Sequence, residues 1–101
     1  MKLIRDRTPG LLPGSTRIAT YDEKYMLLRG KLCEEAAEAA SSTSKEELFK
    51  ELGDLYEVMK AVALMAGGSF ADVIIAARKK AAEKGDFEMG TILLFDPEWN
   101  K

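Results

Sequence analysis

The residues that can do chemistry are concentrated between Glu34 and Asp54, which reads E-E-A-A-E, then twelve residues, then E-L-G-D. Carboxylates spaced three or four apart lie on one side of a helix and reach toward a common point. At about 100° per residue, Glu35 falls on the apolar stripe of Leu28, Leu32 and Ala39. Glu51 falls beside the stripe of Leu48, Leu52, Leu55, Met59 and Val62. Each stripe thus carries a carboxylate, with a second one three residues on: Glu38 after Glu35, Asp54 after Glu51. Carboxylates on facing, partly buried helices repel each other and resist desolvation unless a cation sits among them. A donor set of carboxylate oxygens suits a hard divalent ion, so Mg²⁺ is expected, with Mn²⁺ as its substitute, and zinc is not. Such an ion neutralises phosphate oxygens and acidifies bound water. A spare carboxylate, Glu34 or Glu38, could then take the water's proton.

The plainer alternative is a solvated acidic face, since glutamate is a good helix former and commonly pairs four residues away. Glu35 has Lys31 at that distance. Glu34 and Glu38, however, are a like-charge pair at that spacing, as are Glu47 and Glu51, and such pairs cost stability. Asp54 has only Val58 four residues on. The chain has no histidine, which excludes Ser-His triads, histidine bases and the Glu-x-x-His ligand pattern of di-iron bundles.

Three helices must position these groups. Thr20 and Glu23 form a T-x-x-E capping box, predicting a helix from about Tyr21 to about Ala40. The S-S-T-S run at 41–44 ends it, because hydroxyl side chains compete for backbone hydrogen bonds. Ser44 and Glu47 repeat the box and open a second helix. Its Leu48, Leu52, Leu55, Met59, Val62 and Ala66 form a seam for another helix, and Gly67-Gly68 stops it. Ser69 caps a third helix from about Phe70 to Lys84, with Val73, Ala76, Ala77 and Ile74 inward and Gly85 at its end. Before the helices, Leu3-Ile4 starts a brief strand or arm, and Pro9, Gly10, Pro13 and Gly14 mark a loop. The tail T-I-L-L-F at 91–95 has strand character and can pair with residues 2–5.

The expected fold is therefore all-α, an antiparallel helical bundle in one domain over residues 1–101, with a short terminal β pairing. Phe49, Tyr56, Val58 and Leu64 lie off the main seam of the second helix. Its wide apolar arc implies a protein partner, most simply further copies of the chain as a homodimer or homotetramer.

Composition bounds the partners. With 101 residues, 47% hydrophobic and 32% charged, the chain is an ordinary globular domain. A net charge of -2 argues against binding a nucleic acid polymer but leaves room for a small anionic substrate. The longest apolar run, A-V-A-L-M-A, is too short to span a bilayer. The opening M-K-L-I-R-D-R-T-P lacks the apolar core of a signal peptide, and a lone cysteine fits a reducing compartment, so the expected location is cytoplasmic.

E-E-x-x-E followed by E-x-x-D at this spacing resembles the signature of the all-α nucleoside triphosphate pyrophosphohydrolases, the MazG-like and phosphoribosyl-ATP pyrophosphohydrolase group. The resemblance implies that Glu35, Glu38, Glu51 and Asp54 hold Mg²⁺ and that Glu34 assists the metal or the attacking water. K-L-I-R-D-R-T-P at 2–9 is similar to the opening of a short MazG-like subgroup, and R-K-K-A-A-E-K-G-D-F at 78–87 to its basic helix end. Asp86 stands where that subgroup has a second glycine, and Lys50 where a glutamate is common. The implied activity is cleavage of an α–β phosphoanhydride to a nucleoside monophosphate and pyrophosphate. Phosphoribosyl-ATP is the alternative substrate, and a non-catalytic helical interaction module is the alternative from another class.

Other residues admit two readings. Lys31 can reach a substrate phosphate or partner Glu35. Arg78, Lys79, Lys80 and Lys84 can hold phosphates or simply favour a helix C-terminus. The Arg5-Asp6-Arg7 cluster is a solvated turn or an arm bringing arginine toward a phosphate. Phe87 and Tyr56 are expected in the core, with stacking on a base as the functional reading. Cys33 is expected to be a half-buried thiol without a role, and Trp99 a tail residue or an interface anchor.

Overall fold

The computed structural model describes residues 1–8 and 15–94. The loop expected around Pro9, Gly10, Pro13 and Gly14 lies outside the described residues, as do Phe95 and Trp99. The fold is all-α, with three helices among the described residues: α1 (Tyr21–Ala40), α2 (Lys45–Met65) and α3 (Phe70–Lys84). The chain divides into two compact units, Met1–Phe70 and Ala71–Lys101.

Local chemistry accounts for the helix ends. At the start of α1, Thr20 Oγ1 accepts from the Glu23 amide at 3.2 Å, and Glu23 Oε1 accepts from the Thr20 amide at 2.9 Å. The predicted capping box is complete, and a cap of this kind contributes about 1 kcal/mol. The same Glu23 carboxylate takes both arms of the Arg17 guanidinium at 2.8 and 2.7 Å. That fork, helped by the Thr20 amide, holds the Glu23 carboxyl down at about 2. At α2 only half of the predicted box forms. Ser44 Oγ accepts from the Glu47 amide at 3.1 Å, but the Glu47 carboxylate turns to the Thr43 amide and hydroxyl, both at 3.4 Å. The α2 C-terminus closes as a Schellman motif, with the Gly67 amide on Leu64 O and the Gly68 amide on Ala63 O. Gly67 has φ 91°, a left-handed conformation that explains glycine at this position.

The first unit is an antiparallel hairpin of α1 and α2. The hydroxyl of Tyr21, at the start of α1, donates to the carbonyl of Met65, at the end of α2. At the other end, Glu35 and Glu38 meet Glu51. Leu28 and Ala39 are buried, and Glu35 lies between them on the same stripe of α1. From α2, Leu48, Leu55, Val58, Met59 and Val62 are half-buried. Leu52, expected in the seam, is 43% exposed, and Ala66 is exposed as well. A hairpin of two helices covers only one stripe of each, so positions at the rim of the seam stay open. Phe70, the first residue of α3, packs edge-on against Tyr56 with ring centroids 4.8 Å apart.

Three further expectations are corrected. Residues 2–5 and 91–94 form no strand among the described residues, and Ile92, Leu93 and Leu94 are exposed. A lone pair of short strands with no third strand to extend it is marginal in water. Of the α3 positions expected inward, Val73 is half-buried, while Ile74, Ala76 and Ala77 are exposed. Cys33 and Phe87, expected half-buried and in the core, are also exposed. Cys33 follows Leu32 by one residue and so is carried about 100° off the apolar stripe, and Phe87 lies in a coil beyond Gly85, with no helix face to bury it.

Candidate metal centre

The antiparallel arrangement of α1 and α2 decides which acidic residues meet. The last turns of α1 lie beside the first turns of α2, joined through residues 41–44. Glu35, Glu38 and Glu51 each place a carboxylate oxygen within 4.8 Å of the others. Glu35 is only 9% exposed, Glu51 is half-buried and Glu38 faces solvent. The trio is thus open to water on one side and backed by apolar packing on the other.

The electrostatics of this arrangement are unfavourable for carboxylates alone. Burial pushes the Glu35 carboxyl above its ordinary value, and the charge of Glu38, a hydrogen bond to it and the charge of Asp54 push the same way; Lys31 opposes them. The Glu51 carboxyl is raised first by its hydrogen bond to Glu38, then by burial and by the charges of Glu38, Asp54 and Glu35. One oxygen on each of the two less exposed residues, Glu35 Oε2 and Glu51 Oε2, is buried without a hydrogen-bond partner. A buried carboxylate oxygen left without a donor is costly.

This donor set fits a divalent hard cation. With metal–oxygen distances of about 2.1 Å, the oxygens around Mg²⁺ lie about 3–4 Å apart, so the trio needs only a slight contraction to share one ion. A cation there would answer the orphaned oxygens and the mutual repulsion together. The absence of histidine and the lone, exposed cysteine leave zinc poorly served.

The other expected site residues are distributed as follows. Asp54 stands apart from the trio, although its charge reaches both Glu35 and Glu51. Its Oδ1 accepts from Arg5 Nη2 at 2.8 Å. Glu34 is exposed on α1, next in sequence to the trio but outside it. Lys31 is half-buried, and its charge opposes the rise at Glu35. Arg78, Lys79, Lys80 and Lys84 are all exposed on the part of α3 that belongs to the second unit. The contact missing from the sequence reading is Arg5 on Asp54. The two are 49 residues apart, and no helical period links a coil residue to a helix face.

The chain matches no family model, no curated protein and no solved structure.

Proposed function

We propose that the chain is a Mg²⁺-dependent nucleoside triphosphate pyrophosphohydrolase of the MazG-like kind. The observation that carries this reading is the convergence of Glu35, Glu38 and Glu51 from two helices with two buried oxygens unpartnered. Glu35, Glu38 and Glu51 would hold the ion, and Asp54 would join them through Oδ2, the oxygen that Arg5 does not hold. When bound, the ion supplies charge for the phosphate oxygens and lowers the pKa of a coordinated water. Glu38 and Glu34 are both exposed on α1, and in this reading either would accept a proton from water entering at that side. Water adds to phosphorus, the α–β bridging bond breaks, and a nucleoside monophosphate and pyrophosphate leave. Lys31, half-buried one turn before Glu35 on α1, is the proposed cation for the phosphates.

In this reading the chain works in the cytoplasm as a homodimer or homotetramer with the helices completing a bundle. Phe49, Tyr56 and Leu64 are 61%, 46% and 65% exposed on α2, large apolar groups that the hairpin leaves uncovered. No single described helix is long and apolar enough to cross a membrane.

The test is a panel of nucleoside triphosphates and phosphoribosyl-ATP, scored for pyrophosphate with and without Mg²⁺. Release should require Mg²⁺ and fall by about 100-fold or more in Glu38→Gln and Asp54→Asn, with the helical circular dichroism retained. Full turnover in either variant would refute the roles assigned here. A helical interaction module would release no pyrophosphate from any of these compounds.

A further inference from the structure

We propose that Arg5 is a phosphate-binding residue at the rim of the carboxylate cluster, its guanidinium fixed by Asp54 to meet the anionic tail of a triphosphate. This deepens the reading above and rests on it. The Thr8 amide and hydroxyl both donate to the Arg5 carbonyl, at 3.0 and 2.5 Å, closing a turn that fixes the Arg5 backbone. Nη2 then reaches Asp54 Oδ1 at 2.8 Å, three residues along α2 from Glu51. Guanidinium carries five N–H donors, and among the described residues this one bond engages it. The Arg5 side chain is 68% exposed against 31% for Asp54, so its remaining donors face outward while its anchor is sheltered.

The electrostatic setting calls for such a group. Even with a divalent ion bound, the three clustered glutamates leave the site negative, and a polyphosphate must approach it. A planar cation held at the edge offers paired donors to phosphate oxygens in a geometry that lysine does not reproduce. As a stabilising ion pair, by contrast, an arginine this exposed would contribute little, about 0–1 kcal/mol. Glu35, nine-tenths buried with Oε2 unpartnered, marks the cation position next to it independently of Arg5.

The experiment uses the full chain with Arg5→Ala and Arg5→Lys and two probes. Inorganic tripolyphosphate with Mg²⁺ is titrated calorimetrically, and Mn²⁺ alone is followed by its electron paramagnetic resonance. Arg5→Ala should weaken tripolyphosphate binding by about 10-fold or more, Arg5→Lys should restore part of it, and Mn²⁺ affinity should be unchanged or higher because Asp54 loses a competitor. If Arg5 only braces Asp54, Mn²⁺ affinity falls together with tripolyphosphate affinity, and the proposal is overturned. Equal tripolyphosphate binding by wild type and Arg5→Ala overturns it while leaving the metal reading intact, as does wild type that takes up Mn²⁺ but no tripolyphosphate. A wild-type chain that takes up neither probe removes the metal reading and the Arg5 assignment with it.

Discussion

Glu35 sits on the apolar stripe of α1 with Glu38 and Asp54 in range of its charge, so it surrenders its proton less readily than a free glutamate. Glu51 behaves the same way across the helix interface. Without metal, the folded chain keeps protons on these two carboxyls to higher pH than the unfolded chain does. Their contribution to stability is therefore full below the unfolded value of 4.5 and is lost as pH rises through the raised folded values. Glu23 has the opposite sign. Its folded value of about 2 gives a contribution present above 4.5 and lost only as pH falls toward 2. Above 4.5, Glu35 and Glu51 accordingly set the direction of the trend. In EDTA the melting temperature should be higher near pH 5 than near pH 7.5, and Mg²⁺ should raise it chiefly at pH 7.5. Glu35→Gln should flatten the pH trend and abolish the Mg²⁺ response, as read by thermal denaturation. A Mg²⁺ response surviving in that variant would show that Glu35 is not a ligand.

At the scale of the elements, α1, α2 and α3 were legible because their ends are written in short-range chemistry. T-x-x-E before α1, Ser44 before α2 and Gly67-Gly68 after it each act within one turn. The meeting of Glu35 and Glu38 with Glu51 was legible for a related reason: a short connection makes neighbouring helices antiparallel, and the apolar stripes then set which faces meet. The misses arise where no such local rule operates. Leu52 obeys the period of the seam yet lies at its uncovered rim. The side chain of Glu47 chose Thr43 over the Ser44 amide, a competition that two donors one residue apart leave undecided in sequence. Strand character at 91–94 produced no strand, because pairing depends on a partner and not on propensity alone. The Arg5–Asp54 contact joins a coil to a helix, where no periodicity operates.

At the scale of the whole molecule, buried apolar surface is scarce among the described residues. Leu28 and Ala39 are the buried apolar residues among the described ones, while Phe49, Leu52, Tyr56, Leu64 and Ile75 remain exposed. So thin a core is marginal for a chain of this length unless further copies cover the open faces. Sedimentation velocity should therefore give a dimer or tetramer, and Phe49→Lys with Leu64→Lys should shift the mass toward the monomer; a wild type that sediments as a monomer would contradict this. The central claim, however, concerns the cation and not the assembly. Its most direct measurement is a titration of Mn²⁺ into the protein, following the resonance of free Mn²⁺. Wild type should remove that signal at a defined stoichiometry, and Glu35→Gln, Glu38→Gln and Glu51→Gln, each still helical, should lose most of the binding. Free Mn²⁺ that persists undiminished in the presence of wild type, or variants that bind it as tightly, would contradict the metal centre on which the enzymatic reading depends.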